Sequence, residues 1–129
     1  METCRSNAAR RWALSLLLKA LVLFVERNYE PNGKNIGEVY KLLTLNSEKE
    51  LNELFESLSV GHPAAAPYSI FKQASETVRS GVIIGLGSRL QVFQNKLIRL
   101  ITSRDEIDME LPGKQKCAYF CISANSNIA

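Results

Sequence analysis

Apolar residues recur at three- and four-residue steps along most of this chain, and that period divides it into helices. Leu14, Leu17, Leu18, Leu21, Phe24 and Val25 form such a stripe, so a first helix is expected over about Ala13 to Arg27. Leu16, Val22 and Leu23 make its other sides apolar too, which predicts cover from more than one direction. The segment YEPNGKN then breaks the pattern with Pro31 and an Asn-Gly turn. Asn35 is a natural N-cap for a short helix IGEVYKLLT, with Ile36, Val39, Tyr40 and Leu43 inward. Ser47-Glu48-Lys49-Glu50 is a capping box, in which serine and glutamate each satisfy a free backbone donor of the other. The third helix that follows has Leu51, Leu54, Phe55 and Leu58 as its apolar face and ends at Gly61-His62-Pro63.

The longest periodic stretch runs from Pro67 through Phe71, Ala74, Val78, Val82, Leu86, Leu90 and Phe93. It predicts one nearly continuous helix, with proline in the first turn where its missing N–H is no loss. SGVIIGLGS is apolar on all sides, as suits a helix threaded through the middle of a bundle. Gly81 and Gly85 each cost helix stability of about 1 kcal/mol relative to Ala, and close approach of a neighbouring helix is the expected compensation. A short fifth helix, KLIRLITS, precedes an acidic turn punctuated by Pro112-Gly113. The compact run CAYFCIS reads as a buried strand, paired with Ile107–Leu111 as a hairpin or with a sheet outside this sequence. The expected fold is therefore mainly α: about five helices around a long central one, with a short C-terminal strand or hairpin.

Composition adds bounds. A chain of 129 residues suits one domain, and its 46% apolar content with mixed charge is that of a globular protein. The net charge of +3 is too small to mark a nucleic-acid binder by itself. Its distribution says more. Between residues 34 and 56 the acids Glu38, Glu48, Glu50, Glu53 and Glu56 outnumber Lys34, Lys41 and Lys49. Between residues 72 and 104 the bases Lys72, Arg79, Arg89, Lys96, Arg99 and Arg104 face only Glu76. Solvated helix faces explain such a pattern, and so does a basic surface for an anionic partner.

Cys4, Cys117 and Cys121 are odd in number and lack CxxC spacing, which points to a reducing compartment rather than a disulfide framework or zinc site. On one strand Cys117 and Cys121 would lie about 13 Å apart, beyond bridging distance. Arg10-Arg11 followed by LSLLLKALVLFV mimics a leader, but Lys19 interrupts it, no A-x-A site follows, and Glu26-Arg27 ends it. The run also falls short of the roughly 20 apolar residues that span a bilayer, so no membrane contact is expected of this segment.

Candidate chemistry is sparse. Gly81-Val-Ile-Ile-Gly85-Leu-Gly87 lacks the Lys-Ser/Thr of a phosphate loop and lies in a helical pattern. His62, the single histidine, lies in a turn with no ligand or base partner at useful spacing. Asp105, Glu106, Asp108 and Glu110 lack the glycine and terminal glutamate of a calcium loop. Nothing matches a Ser-His-Asp or Cys-His pattern, so no catalytic residue, metal or cofactor is expected.

From Pro67 to Phe93 the order of residues resembles the long central helix of the all-alpha domain of TraG-type coupling proteins. These are the membrane-anchored ATPases of conjugative type IV secretion systems. Phe71-Lys72, Ala74, Thr77, Arg79-Ser80, Leu86, Arg89-Leu90 and Phe93 carry the likeness. Upstream, WALSLLLKALVLFV, NIGEVYKLL and LNELFESL resemble the preceding helices in the same order. Downstream, the acidic turn, Gly113-Lys114 and CAYFCIS resemble the return into the ATPase domain. The likeness spans Trp12 to Ser123; residues 1–11 fit nothing expected ahead of that domain and read as an atypical extension. It implies a helical domain over 12–104 and, over 105–129, the start of an ATPase sheet.

The nucleotide-binding loop and the acidic magnesium-positioning strand of that family have no counterpart in this sequence. The resemblance therefore implies a fragment or truncated relative without ATPase activity, cytoplasmic, and at the inner face of the membrane if it is part of a full coupling protein with the remainder of the ATPase. It implies docking of a relaxase–DNA complex or other secretion substrate, with Lys72, Arg79, Arg89, Lys96 and Arg99 as candidate contacts. A free-standing helical adaptor that binds a protein through an apolar groove is the alternative. Exposed apolar surface without DNA affinity would mark it. A small enzyme with a site assembled from scattered residues is a third reading, marked by a deep polar pocket.

Overall fold

A computed structural model describes residues 2–123, with side chains from Asn7 onward. Its described residues form seven α-helices: α1 (Glu2–Asn28), α2 (Ile36–Leu45), α3 (Glu48–Glu56), α4 (Ala65–Lys72), α5 (Glu76–Arg89), α6 (Lys96–Thr102) and α7 (Leu111–Lys114). Two 3-10 turns, Pro31–Gly33 and Gln91–Gln94, join α1 to α2 and α5 to α6. The mainly helical expectation therefore holds, with different bounds and a different centre.

The centre is α1. It packs against α2, α4 and α5, and Ala13, Leu17, Ala20, Leu21, Phe24 and Val25 supply its buried stripe. Leu14, Leu16, Leu18 and Leu23 are half-buried around that stripe, while Val22 is exposed. The helix starts well before the expected Ala13, at Glu2.

Capping explains the next two helices. The Asn35 side chain accepts from the Glu38 N–H at 3.0 Å, and α2 buries Val39, Leu42 and Leu43 against the core. Both halves of the box at α3 are formed: Glu50 N–H donates to Ser47 Oγ and Ser47 N–H donates to Glu50 Oε2. Leu51 and Phe55 point inward from α3, and Phe55 stacks on Tyr68 of α4 with ring centroids 4.0 Å apart. Between these helices Gly61 has φ +88°, a left-handed conformation that side chains with a Cβ resist. His62 holds the same loop, its Nδ1 accepting from the Ala64 N–H at 3.1 Å.

The single helix expected over Pro67 to Phe93 is instead two helices and a 3-10 turn. Helix α4 ends at Lys72 with Gln73 as its C-cap, and Ser75, in extended geometry, caps a new helix by accepting from the Val78 N–H. Arg79 stabilises the break, because its guanidinium donates to the Lys72 carbonyl (3.1 Å) and the Ala74 carbonyl (2.6 Å), which α4 leaves free. Nor does α5 run through the middle of the bundle. Only Val82 and Leu86 are fully buried on it, and Ile84 is 70% exposed. No atom beyond α5's own backbone lies within 4 Å of a Cβ built at Gly81, and at Gly85 only Nη1 of Arg89 does, at 4.0 Å. The close helix approach expected at these glycines is absent.

The expected fifth helix is present as α6, capped by Asn95, whose Oδ1 accepts from the Leu97 N–H at 2.8 Å. The C-terminal strand is not formed among the described residues. A short helical turn, α7, occupies Leu111–Lys114, and Cys117 to Ser123 run on without ladder pairing. Phe120 and Ile122 are 86% and 94% exposed, so this run is not a buried one. One contact ties it back: the Tyr119 hydroxyl donates to the Asp108 carbonyl. The part of the expected ATPase-sheet segment beyond Ser123 lies outside the described residues.

Candidate anion-binding cleft

The five basic residues singled out by sequence are held in different ways. Lys72 ends α4 and is ion-paired with Glu56 of α3. Arg79 is engaged by Glu48 through Nε at 2.7 Å, in addition to its two carbonyl acceptors, and only 22% of its side chain is exposed. Both therefore join α3 to the α4–α5 corner. Arg99 lies across α2, its Cγ 3.2 Å from where a Cβ at Gly37 would stand. Lys96 is exposed at the start of α6.

Arg89 is different. It lies at the end of α5 and lines a cleft of about 360 Å³ against α1, together with Arg10, Arg11, Leu14, Gly81, Val82 and Gly85. The helical period that aims Leu14 and Leu17 toward the core places Arg10 and Arg11 along its edge, facing α5. Gly81 and Gly85 add no side chain to the facing side of α5, where Val82 and Arg89 line the cleft. Among the described residues no carboxylate pairs with Arg10, Arg11 or Arg89 within 4.0 Å.

Like charges gathered without counter-charges make a positive site, and guanidinium is the group best suited to bidentate contact with phosphate or carboxylate. The lining holds no nucleophile, carboxylate or imidazole. Among the described residues no group of three or more His, Cys, Asp or Glu is placed to hold a metal ion.

Sequence reading missed Arg10 and Arg11, because they stood outside the recognised pattern and next to a run resembling a leader. Their spacing from Leu14 along one helix was the available signal. Elsewhere, burial pushes the Tyr68 hydroxyl up to about 12, with the negative charge of Glu48 adding to it and Arg79 opposing it. Tyr68 donates to Asn52 Oδ1 at 2.5 Å and is a core residue.

Val92, Leu97, Leu100, Ile101, Ile107 and Met109 are all exposed, so the other end of the chain presents apolar side chains to solvent. Among the described residues no helix is long and apolar enough to cross a membrane. No family model, curated protein or solved structure compared with this chain matches it.

Proposed function

We propose that this chain is a non-catalytic docking module for an anionic substrate, the DNA–protein complex received by the all-alpha domain of TraG-type coupling proteins that its sequence resembles. The convergence of Arg10, Arg11 and Arg89 on one cleft, with no carboxylate paired to them among the described residues, is the observation that carries this reading. Of the residues first singled out, Arg89 remains the foremost contact and Lys96 an accessible second. Lys72 and Arg79 are committed to ion pairs with α3 and serve the fold.

The test is a titration of labelled DNA with the purified chain at two salt concentrations. Binding should weaken as salt rises, because each neutralised phosphate releases counterions. Charge reversal at Arg89 should weaken it further. Absence of binding at 50 mM salt would defeat the reading and favour the protein adaptor. That alternative has its own support in the exposed apolar face of α6, where Leu97, Leu100 and Ile101 meet solvent.

A further inference from the structure

Helix α6 is packed on one side only. It lies against α2 and the Gln91–Gln94 turn, with Ile98 and Arg99 half-buried. Leu97, Leu100 and Ile101 meet solvent instead, at 61%, 58% and 64% exposure. These three fall at the three- and four-residue steps of one helix face. Val92 ahead of α6, and Ile107 and Met109 after it, are exposed as well. Covering such a face is favourable, and no described residue covers it.

Charge follows a set order along the same stretch. Exposed Lys96 opens α6, and Asp105 and Glu106 follow its end. Arg104 shares that end, but over residues 104–110 four acids outweigh this one base. Among the described residues Lys96, Asp105 and Glu106 form no ion pair within 4.0 Å. Their own chain keeps them apart, at opposite ends of a helix of seven residues, about 10 Å long. The order base, apolar face, acid is its own complement when reversed.

We infer that α6 pairs with α6 of a second copy of this chain, antiparallel about a two-fold axis, to form a dimer. With the axis at the middle of α6, Leu97 of one copy meets Ile101 of the other and Leu100 lies close to the axis. Lys96 of each copy then stands at the far end of the other's helix, within reach of Asp105 and Glu106. An interface of this symmetry must present one patch that complements itself, and this patch does. Arg99 does not oppose its copy, because it lies across α2. Six apolar side chains are few beside the roughly 20–30 residues a side of a standard interface, so the dimer dissociates on dilution. The arginine cleft takes no part, since α6 contributes nothing to its lining. Lys96 is taken up in the pair, which leaves Arg89 as the contact for an anionic substrate.

Other occupants fit less well. An anionic lipid surface would be repelled by the acids that follow the helix. A different protein would need to offer base, apolar face and acid in the order that this chain already supplies.

The test is sedimentation of the full chain at rising concentration, with reductant present so that no cysteine bridges form. Mass should rise from monomer to dimer and stop there. Leu100→Asp should weaken the dimer about tenfold or more, because it brings a charge into the apolar centre. Val60→Asp, on the exposed loop between α3 and α4, should leave it unchanged. Lys96→Glu should weaken it roughly three- to tenfold, and so should Asp105→Lys with Glu106→Lys. All three reversals in one chain should restore the dimer, as should mixing the Lys96→Glu chain with the Asp105→Lys, Glu106→Lys chain. The substituted residues are exposed, and a glutamate at the first position of α6 suits a helix N-terminus, so helicity should match the parent.

A chain that stays monomeric at every concentration would overturn the dimer. Association indifferent to Leu100→Asp would assign it to another surface. Failure of the reversed charges to restore each other would overturn the antiparallel pairing, and growth beyond two copies would overturn the two-fold axis. Binding of phosphatidylserine vesicles that Leu100→Asp abolishes, by a chain that does not dimerise, would replace the pair with a membrane contact.

Discussion

Arg79 makes three charge-assisted hydrogen bonds: to Glu48, and to the Lys72 and Ala74 carbonyls where α4 ends. Removing it would take this partner from the part-buried Glu48 carboxylate and Ala74 carbonyl, while the exposed Lys72 carbonyl would turn to water. Arg79→Ala should therefore lower the unfolding free energy by about 1.5–3 kcal/mol, measured by urea denaturation, with Arg79→Lys recovering part of it. Tyr68 offers a pH-dependent counterpart. Its hydroxyl, held up at about 12 against an ordinary value of 10.0, keeps its proton in the folded chain at pH values where the unfolded chain has lost it. The resulting stability is fully present below pH 10 and is lost as pH rises toward 12. Tyr68→Phe should flatten that part of the stability profile, and unchanged curvature between pH 10 and 12 would show that other groups set it.

At the scale of elements, the two breaks in the Pro67–Phe93 stretch show which signals are legible. Asn35 and Ser47 announce their helices because an acceptor side chain precedes a polar first turn and then an apolar stripe. Ser75-Glu76 carries the same kind of signal, yet the apolar period runs across it from Phe71 to Val78 and conceals it. What decides the corner is Arg79 reaching back to Lys72 and Ala74, a contact that exists only after the chain has bent. Gly81 and Gly85 misled for a related reason: their spacing resembles a helix-packing motif, but the structure sets open space opposite them. With no neighbour to clash, Gly81→Ala should raise stability by about 0.5–1 kcal/mol, and a lowered thermal midpoint would contradict the open cleft. The candidate site was half legible, since Arg89 stood out by charge while its partners on α1 needed the pairing of α1 with α5.

At the scale of the molecule, burial is uneven. The core draws on α1 to α5, whereas α6 and α7 contribute no fully buried residue. A chain so arranged has a stable end and a loosely supported one, with exposed Leu97, Leu100, Ile101 and Phe120 at the latter. The opposite end has its own asymmetry. At 27 residues α1 is about 40 Å long, and among the side chains described, from Asn7 onward, Ala13 is its first buried one. From Asn7 to Trp12 the side chains are exposed, and segments shorter than about 12–15 residues are marginal as helices in water. Arg10, Arg11 and Trp12 thus lie where α1 passes from anchored to unsupported, and their order depends on what they touch. Amide hydrogens of residues 8–12 should exchange with solvent quickly in the free chain and slow on addition of a bound polyanion. Those of Leu17 to Val25 should hold one rate throughout, so that the protected length of a single helix becomes the gauge of occupancy.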